Sequence, residues 1–196
     1  GWAVVTPVLL MVVLTVFFKR VANVDTDPVP YALFSYVGLL PWTFFSSSMT
    51  NGGQSLVNNS SLLNKVYCPR EVFPIGAIAV AAVDMAIAVG VLGILFAAYG
   101  YAPRGTAYWV PVLLLVQLSF TLGLTFFISG FLVYLRDLRQ TLPMILQLGL
   151  FATPVAYGLE KFPESSLRVY SVLNPLVPVI DGYRRALDLM AARRDG

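Results

Sequence analysis

The chain of 196 residues contains no histidine and a single cysteine, Cys68. The first absence removes the commonest general base and the commonest metal ligand, and the second excludes an internal disulfide or a cysteine-cluster metal site. No residue therefore presents itself as a catalytic group or a metal ligand. Charge is scarce as well: 13 basic and 10 acidic side chains, 12% of the residues, are too few to cover the surface of a water-soluble domain. A glycine-lysine phosphate loop is also missing, so no cofactor is expected on this chain.

What is abundant is apolar surface. At 58% hydrophobic residues and a mean hydropathy of +0.76, most of the protein belongs in a lipid bilayer. The net charge of +3 comes from basic residues scattered between apolar blocks. They form no nucleic-acid patch and fit membrane-flanking positions.

A spanning helix needs about 20 mostly apolar residues, and five stretches qualify: 2–18, 31–49, 74–98, 107–134 and the shorter 142–157. Blocks of this length satisfy their backbone internally as helices, so the expected fold class is all-α, a polytopic membrane helical bundle. The second span is expected to leave at Asn51-Gly52-Gly53, and the fifth is broken by Pro154 and Gly158. Beyond 157 no run is long enough to span. Two short interfacial or re-entrant helices fit there, one from Pro163 and one capped by Asn174 with Pro175 first, placing Ile180, Tyr183, Leu187 and Met190 on one face. The apolar run from Gly1 lacks the charged region of a signal peptide. Residues 1–196 read as one transmembrane domain, and the missing initiator Met, the odd span count and the ending AARRDG lead us to expect truncation at both ends.

The main interruption is NKVYCPREVFP, residues 64–74. Pro69 disfavours helix at Cys68, so an amphipathic run over 56–67 should stop there and a new short helix should start at Pro69 with Glu71 in its first turn, before Pro74 resets the direction. This predicts a folded elbow with Lys65, Arg70 and Glu71 in water. It serves either as an ordinary interfacial loop with snorkelling cations or as a docking surface for a soluble partner. Lysine and arginine counts in the short loops do not decide which side it faces.

Four stretches in order, NKVYCPREVFP, VYLRDLRQTLP, TPVAYGLEKFP and LNPLVPVIDGYRRAL, resemble the ABC-2 type permeases that export O-antigen, capsule and teichoic-acid polysaccharides. The resemblance implies six spans in the complete protein, a permease homodimer and a separate ABC ATPase as partner. It implies a lipid-linked polysaccharide as substrate and the bacterial inner, or plasma, membrane as location. It places the elbow in the cytoplasm, with Lys65, Tyr67, Pro69, Arg70 and Glu71 near the ATPase, although Cys68 stands where the family usually has an aromatic residue. Arg136, Asp137 and Arg139 match its charged cytoplasmic turn, which the residues alone explain equally as a positive-inside anchor. Asn174, Pro175, Arg184 and Arg185 match an extracytoplasmic gate, where the arginines meet either the passing glycolipid or lipid headgroups. Phe17, Phe18, Phe151 and Tyr157 become candidates for the channel lining.

Asp84, ten residues past Pro74, lies about 15 Å deep at 1.5 Å per residue. It is either an ion site or a structural carboxyl bonded to Gln117, Ser119 or Thr121. Trp2, Phe17, Phe18, Trp42, Phe44, Phe45, Trp109, Phe126 and Phe127 read as an interfacial belt or as stacking surfaces for sugars. The rival functions are an ABC-2 drug or lipid exporter and, from another class, a membrane-embedded glycosyl- or acyltransferase.

Overall fold

The computed structural model describes residues 5, 9, 12, 13, 16, 31–63, 69–100, 108–135, 137–153 and 176–187. All regular structure among them is helical: α1 (Tyr31–Asn58), α2 (Ser60–Leu63), α3 (Val72–Ala98), α4 (Val110–Tyr134), α5 (Leu138–Ala152) and α6 (Leu176–Ala186). In the first apolar run Val5, Leu9, Val12, Val13 and Val16 are helical and exposed.

α1 is the axis of the bundle. It carries no charge and is buried at every position from 33 to 42, as expected of a helix enclosed on all sides. α3, α4, α5 and α6 all pack on it. α3 contributes a helical stripe of Pro74, Ile78, Ala81, Met85, Ala88, Leu92 and Phe96 and turns the rest outward. α4 contributes Gln117, Thr121, Thr125, Ser129 and Leu132. Outside are Val80 (63% exposed), Ile94 (69%) and Leu115 (65%). Both helices are apolar on the outside, and α4 turns its polar side chains inward, which inverts the pattern of a soluble bundle, so the medium around α3 and α4 is lipid. Both helices are long and apolar enough to cross it.

Glycine sets how closely α1 is approached. A Cβ on Gly52 would sit 2.5 Å from the Thr125 methyl, and one on Gly53 would sit 3.1 Å from Ile128 Cγ2 and 3.4 Å from Leu142. This pair was expected to end the second span, but α1 runs through it to Asn58. The glycines fit α4 and α5 against the helix and do not stop it. Of the expected amphipathic run over 56–67, residues 56–63 are divided into the end of α1, a turn at Asn59 and α2, and 64–67 lie outside the described residues.

Three further expectations are corrected. No separate helix begins at Pro69: residues 69–71 form a turn, the Val72 amide donates to the Pro69 carbonyl (3.3 Å), and Glu71 directly precedes α3. Pro74 belongs to the first turn of α3, where a missing amide costs no helix bond. α5 starts at Leu138, inside the charged turn, and carries Pro143 within it. Trp42, Phe44 and Phe45 are no interfacial belt: they are buried at mid-α1, with Phe45 stacked on Phe120 at 6.1 Å between centroids. Trp109, half exposed before α4, does occupy a helix end.

α5 is 15 residues, about 22 Å at 1.5 Å per residue, shorter than the ~30 Å hydrocarbon layer. It ends where a Cβ on Gly149 would meet the Trp42 ring at 2.9 Å, well short of the start of α1.

Candidate functional site

Two groups of candidate side chains lie at opposite ends of α1. The C-terminal end gathers the turn at 69–71, the start of α3, the end of α4 and the start of α5. Arg70 and Glu71 are exposed there. Glu71 makes no side-chain capping bond, but its carboxylate sits beside the positive end of the α3 dipole. Asp137 is exposed at the head of α5, and its carbonyl accepts from the Thr141 hydroxyl at 3.1 Å. Arg139 reaches across to α1, its guanidinium donating to Asn58 Oδ1 at 2.5 Å, while its own carbonyl accepts from Gln54 Nε2 at 3.0 Å. Residues 69–71 and the charged turn, 65 or more residues apart in the chain, thus lie at the same end of α1, each with exposed charged side chains. Lys65, Tyr67 and Arg136 lie outside the described residues.

The opposite end is filled by α6. Its buried face, Leu176, Val177, Val179, Ile180, Tyr183, Arg184 and Ala186, includes the expected Ile180 and Tyr183, and Leu187 packs beside it. Gly182 faces Leu113, where a Cβ would meet the leucine methyl at 2.9 Å. The Tyr183 hydroxyl donates to Gln117 Oε1 at 3.1 Å, and Gln117 Nε2 donates to the Pro41 carbonyl at 2.7 Å. Gln117 is seven residues into α4, so the tyrosine hydroxyl reaches about 10 Å below the helix end. α6 is therefore inserted between α1 and α4, in the space above the short α5.

The paired arginines separate. Arg184 is 1% exposed and places its guanidinium 3.8 Å from the centroid of the Phe34 ring, a cation–π contact inside the bundle. It meets α1, not lipid headgroups. Arg185 is exposed and bonded to Asp181 at 2.7 Å. Asn174 and Pro175, with Phe17, Phe18 and Tyr157, lie outside the described residues; Phe151 lies in the last turn of α5, and its side chain is likewise outside them.

Between the two ends runs a seam of small polar groups. Gln117, Thr121, Thr125 and Ser129, each four residues apart on α4, are all at most 1% exposed and face α1. Thr125 donates to Met49 Sδ at 3.4 Å, whereas Ser48 Oγ, Thr121 Oγ1 and Ser129 Oγ are buried without a partner. Asp84 does not join this seam. It is half buried at the edge of the α3 stripe, Gln117 is occupied at both ends, and Ser119 donates to the Leu115 carbonyl at 2.9 Å. The structural bond expected for Asp84 is absent from all three residues. Among the described residues no three histidine, cysteine, aspartate or glutamate side chains converge as metal ligands would.

Sequence reasoning missed Gln54 and Asn58, and it placed Tyr183 on the packed face without foreseeing its bond to Gln117. Pro143 held a signal for the first, because a proline inside a helix leaves the carbonyl four residues back without its amide.

The chain is similar over its length to known transport proteins. The model of the ABC-2 type transporter family matches residues 1–187. An O-antigen export system permease protein RfbA of Myxococcus xanthus is 33% identical over 184 residues, 93% of this chain and 70% of the relative. Two proteins of the same name from Klebsiella pneumoniae are each 28% identical over the same shares. With a bundle built for lipid, the chain belongs to the ABC-2 type transporter family, as the membrane permease subunit of an ABC exporter that transports without itself being catalytic.

Proposed function

We propose that this permease moves a lipid-linked polysaccharide outward across the bacterial inner membrane, as a homodimer paired with a separate ABC ATPase. The observation that carries the substrate class is the similarity over 93% of the chain to permeases named for O-antigen export. A drug or lipid exporter of the same family remains the competing proposal, and the substrate reconstituted with the complex separates the two.

The bundle supports a division of labour. The polar surface made by residues 69–71 and the charged turn is the docking side for the ATPase, with Lys65, Tyr67, Pro69, Arg70 and Glu71 facing it and Arg136 and Asp137 beside it. ATP and magnesium stay on that partner. α6 closes the far side, held by Tyr183 on Gln117 and by Arg184 on Phe34. Asn174 and Pro175 start this gate, and Phe17, Phe18, Phe151 and Tyr157 line the path below it. Six spans complete each permease. Nucleotide binding moves the elbow, and the path opens only if that motion is bound to a difference between two states of the bundle.

The test is a charge reversal at an exposed position. In the complete permease reconstituted with its ATPase, Arg70→Glu should weaken assembly or lower export per ATP at least fivefold, with the defect growing as salt is reduced. A complex that assembles and exports like the unmodified one at every salt concentration would remove the elbow from the ATPase contact.

A further inference from the structure

In α5 the amide at position 143 would donate to the carbonyl of residue 139, four residues back. Position 143 is proline, which has no such amide, so the Arg139 carbonyl loses its helical donor. Gln54 of α1 supplies the missing one at 3.0 Å. One turn further along α1, Asn58 Oδ1 takes the guanidinium of the same arginine at 2.5 Å. Gln54 and Asn58 are four apart and share a face of α1. Main chain and side chain of Arg139 are therefore both held by one face of one helix. Asn58 is the last residue of α1, where the chain leaves for the elbow. Beneath this double contact Gly53 keeps α1 against Leu142, so the junction has an apolar floor as well.

From this geometry we infer that Arg139 is a positioning residue for energy coupling: it fastens the elbow end of α1 to the start of α5, so that the two move as one body. The side chain touches neither nucleotide nor substrate. Its function is to carry displacement of the elbow into α5, the short helix beneath the α6 insertion. The inference rests on the proposal that the elbow contacts the ATPase. It also gives Pro143 a purpose, since the proline leaves a carbonyl available to another helix.

The test uses the complete permease with its ATPase in proteoliposomes, reading assembly, ATP hydrolysis and export of lipid-linked polysaccharide. Arg139→Ala and Asn58→Leu should each keep the ATPase bound and lower export per ATP at least fivefold. Asn58→Asp, which retains the acceptor, should export within twofold of the unmodified protein. Gln54→Ala should impair coupling in the natural sequence and have no effect in a Pro143→Ala background, where the helix supplies its own amide. Should Arg139→Ala fail to assemble, the exposed Asn58 pair and the Gln54 by Pro143 cycle carry the decision. Normal export per ATP in Asn58→Leu, equal defects in Asn58→Leu and Asn58→Asp, or an undiminished effect of Gln54→Ala in the Pro143→Ala background would each overturn the inference. If Arg70→Glu uncouples while these variants do not, only the α1–α5 fastening fails; if Arg70→Glu is also silent, the elbow proposal fails with it.

Discussion

Replacing Gln117 by leucine keeps a side chain of comparable bulk in a fully buried site and deletes both bonds through which α4 holds α1 and α6. Interhelical hydrogen bonds in membranes average about 0.6 kcal/mol and reach about 1.7, so losing two implies about 1–3 kcal/mol of stability. Tyr183→Phe removes only the outer bond and should cost about 0.6–1.7 kcal/mol. The two changes delete a shared contact and must not add. Gln117→Leu strands the tyrosine hydroxyl, and phenylalanine at 183 removes that stranded group, so the double variant should be no less stable than Gln117→Leu alone. Equilibrium unfolding of the purified permease in mixed dodecylmaltoside–dodecylsulfate micelles, followed by circular dichroism, gives all four free energies. Losses that sum to within about 0.3 kcal/mol would show that the two residues act independently and would refute the chain of bonds from α6 through α4 to α1.

Two further outcomes follow from packing. Gly52→Ala places a methyl 2.5 Å from the buried, β-branched Thr125 and should destabilise the same unfolding transition by about 1–3 kcal/mol, whereas Gly76→Ala, with nothing within 4 Å of the added carbon, should be neutral or slightly stabilising. Equal effects at the two glycines would contradict the close approach of α1 to α4. Asp84→Asn should leave stability within about 0.5 kcal/mol, because no bond to Gln117, Ser119 or Thr121 is there to lose. Export lost by this variant at unchanged stability would identify an ion site.

The long spans were legible in the sequence because lipid imposes a length. The apolar blocks at 74–98 and 107–134 become α3 and α4 with boundary shifts of two or three residues. The family was legible because four short stretches recur in order. What misled was punctuation. Gly52-Gly53 and Pro74 read as breaks by the habits of water-soluble loops, yet the glycines make room for α4, and Pro74 sits where a helix has no amide to spare. Arg184 and Arg185 are neighbours in sequence but 100° apart around a helix. One therefore enters the bundle and the other faces outward; Arg184, about 40° from Ile180, lies on the apolar face, and its partner there is Phe34.

Polarity is the signal that a sequence reading of a membrane protein most easily inverts. On α4 the residues at 117, 121, 125 and 129 form a polar stripe, with Ser119 lying off it and bonded to the Leu115 carbonyl of its own helix, and on a soluble surface that stripe would face water. In lipid there is no water to face, so the stripe must turn inward, towards whatever carbonyls and hydroxyls other helices offer. Its period of four therefore identifies the packed face of α4 before any coordinates are consulted, and Gln117, as the longest of the four, is the one able to reach across to both neighbours. The same logic extends to Gln54. A glutamine in an uncharged helix needs a partner, and Pro143 creates a carbonyl that needs a donor. Pairing such complementary deficits between helices would have brought α1 and α5 together at Arg139, the contact on which coupling is proposed to turn.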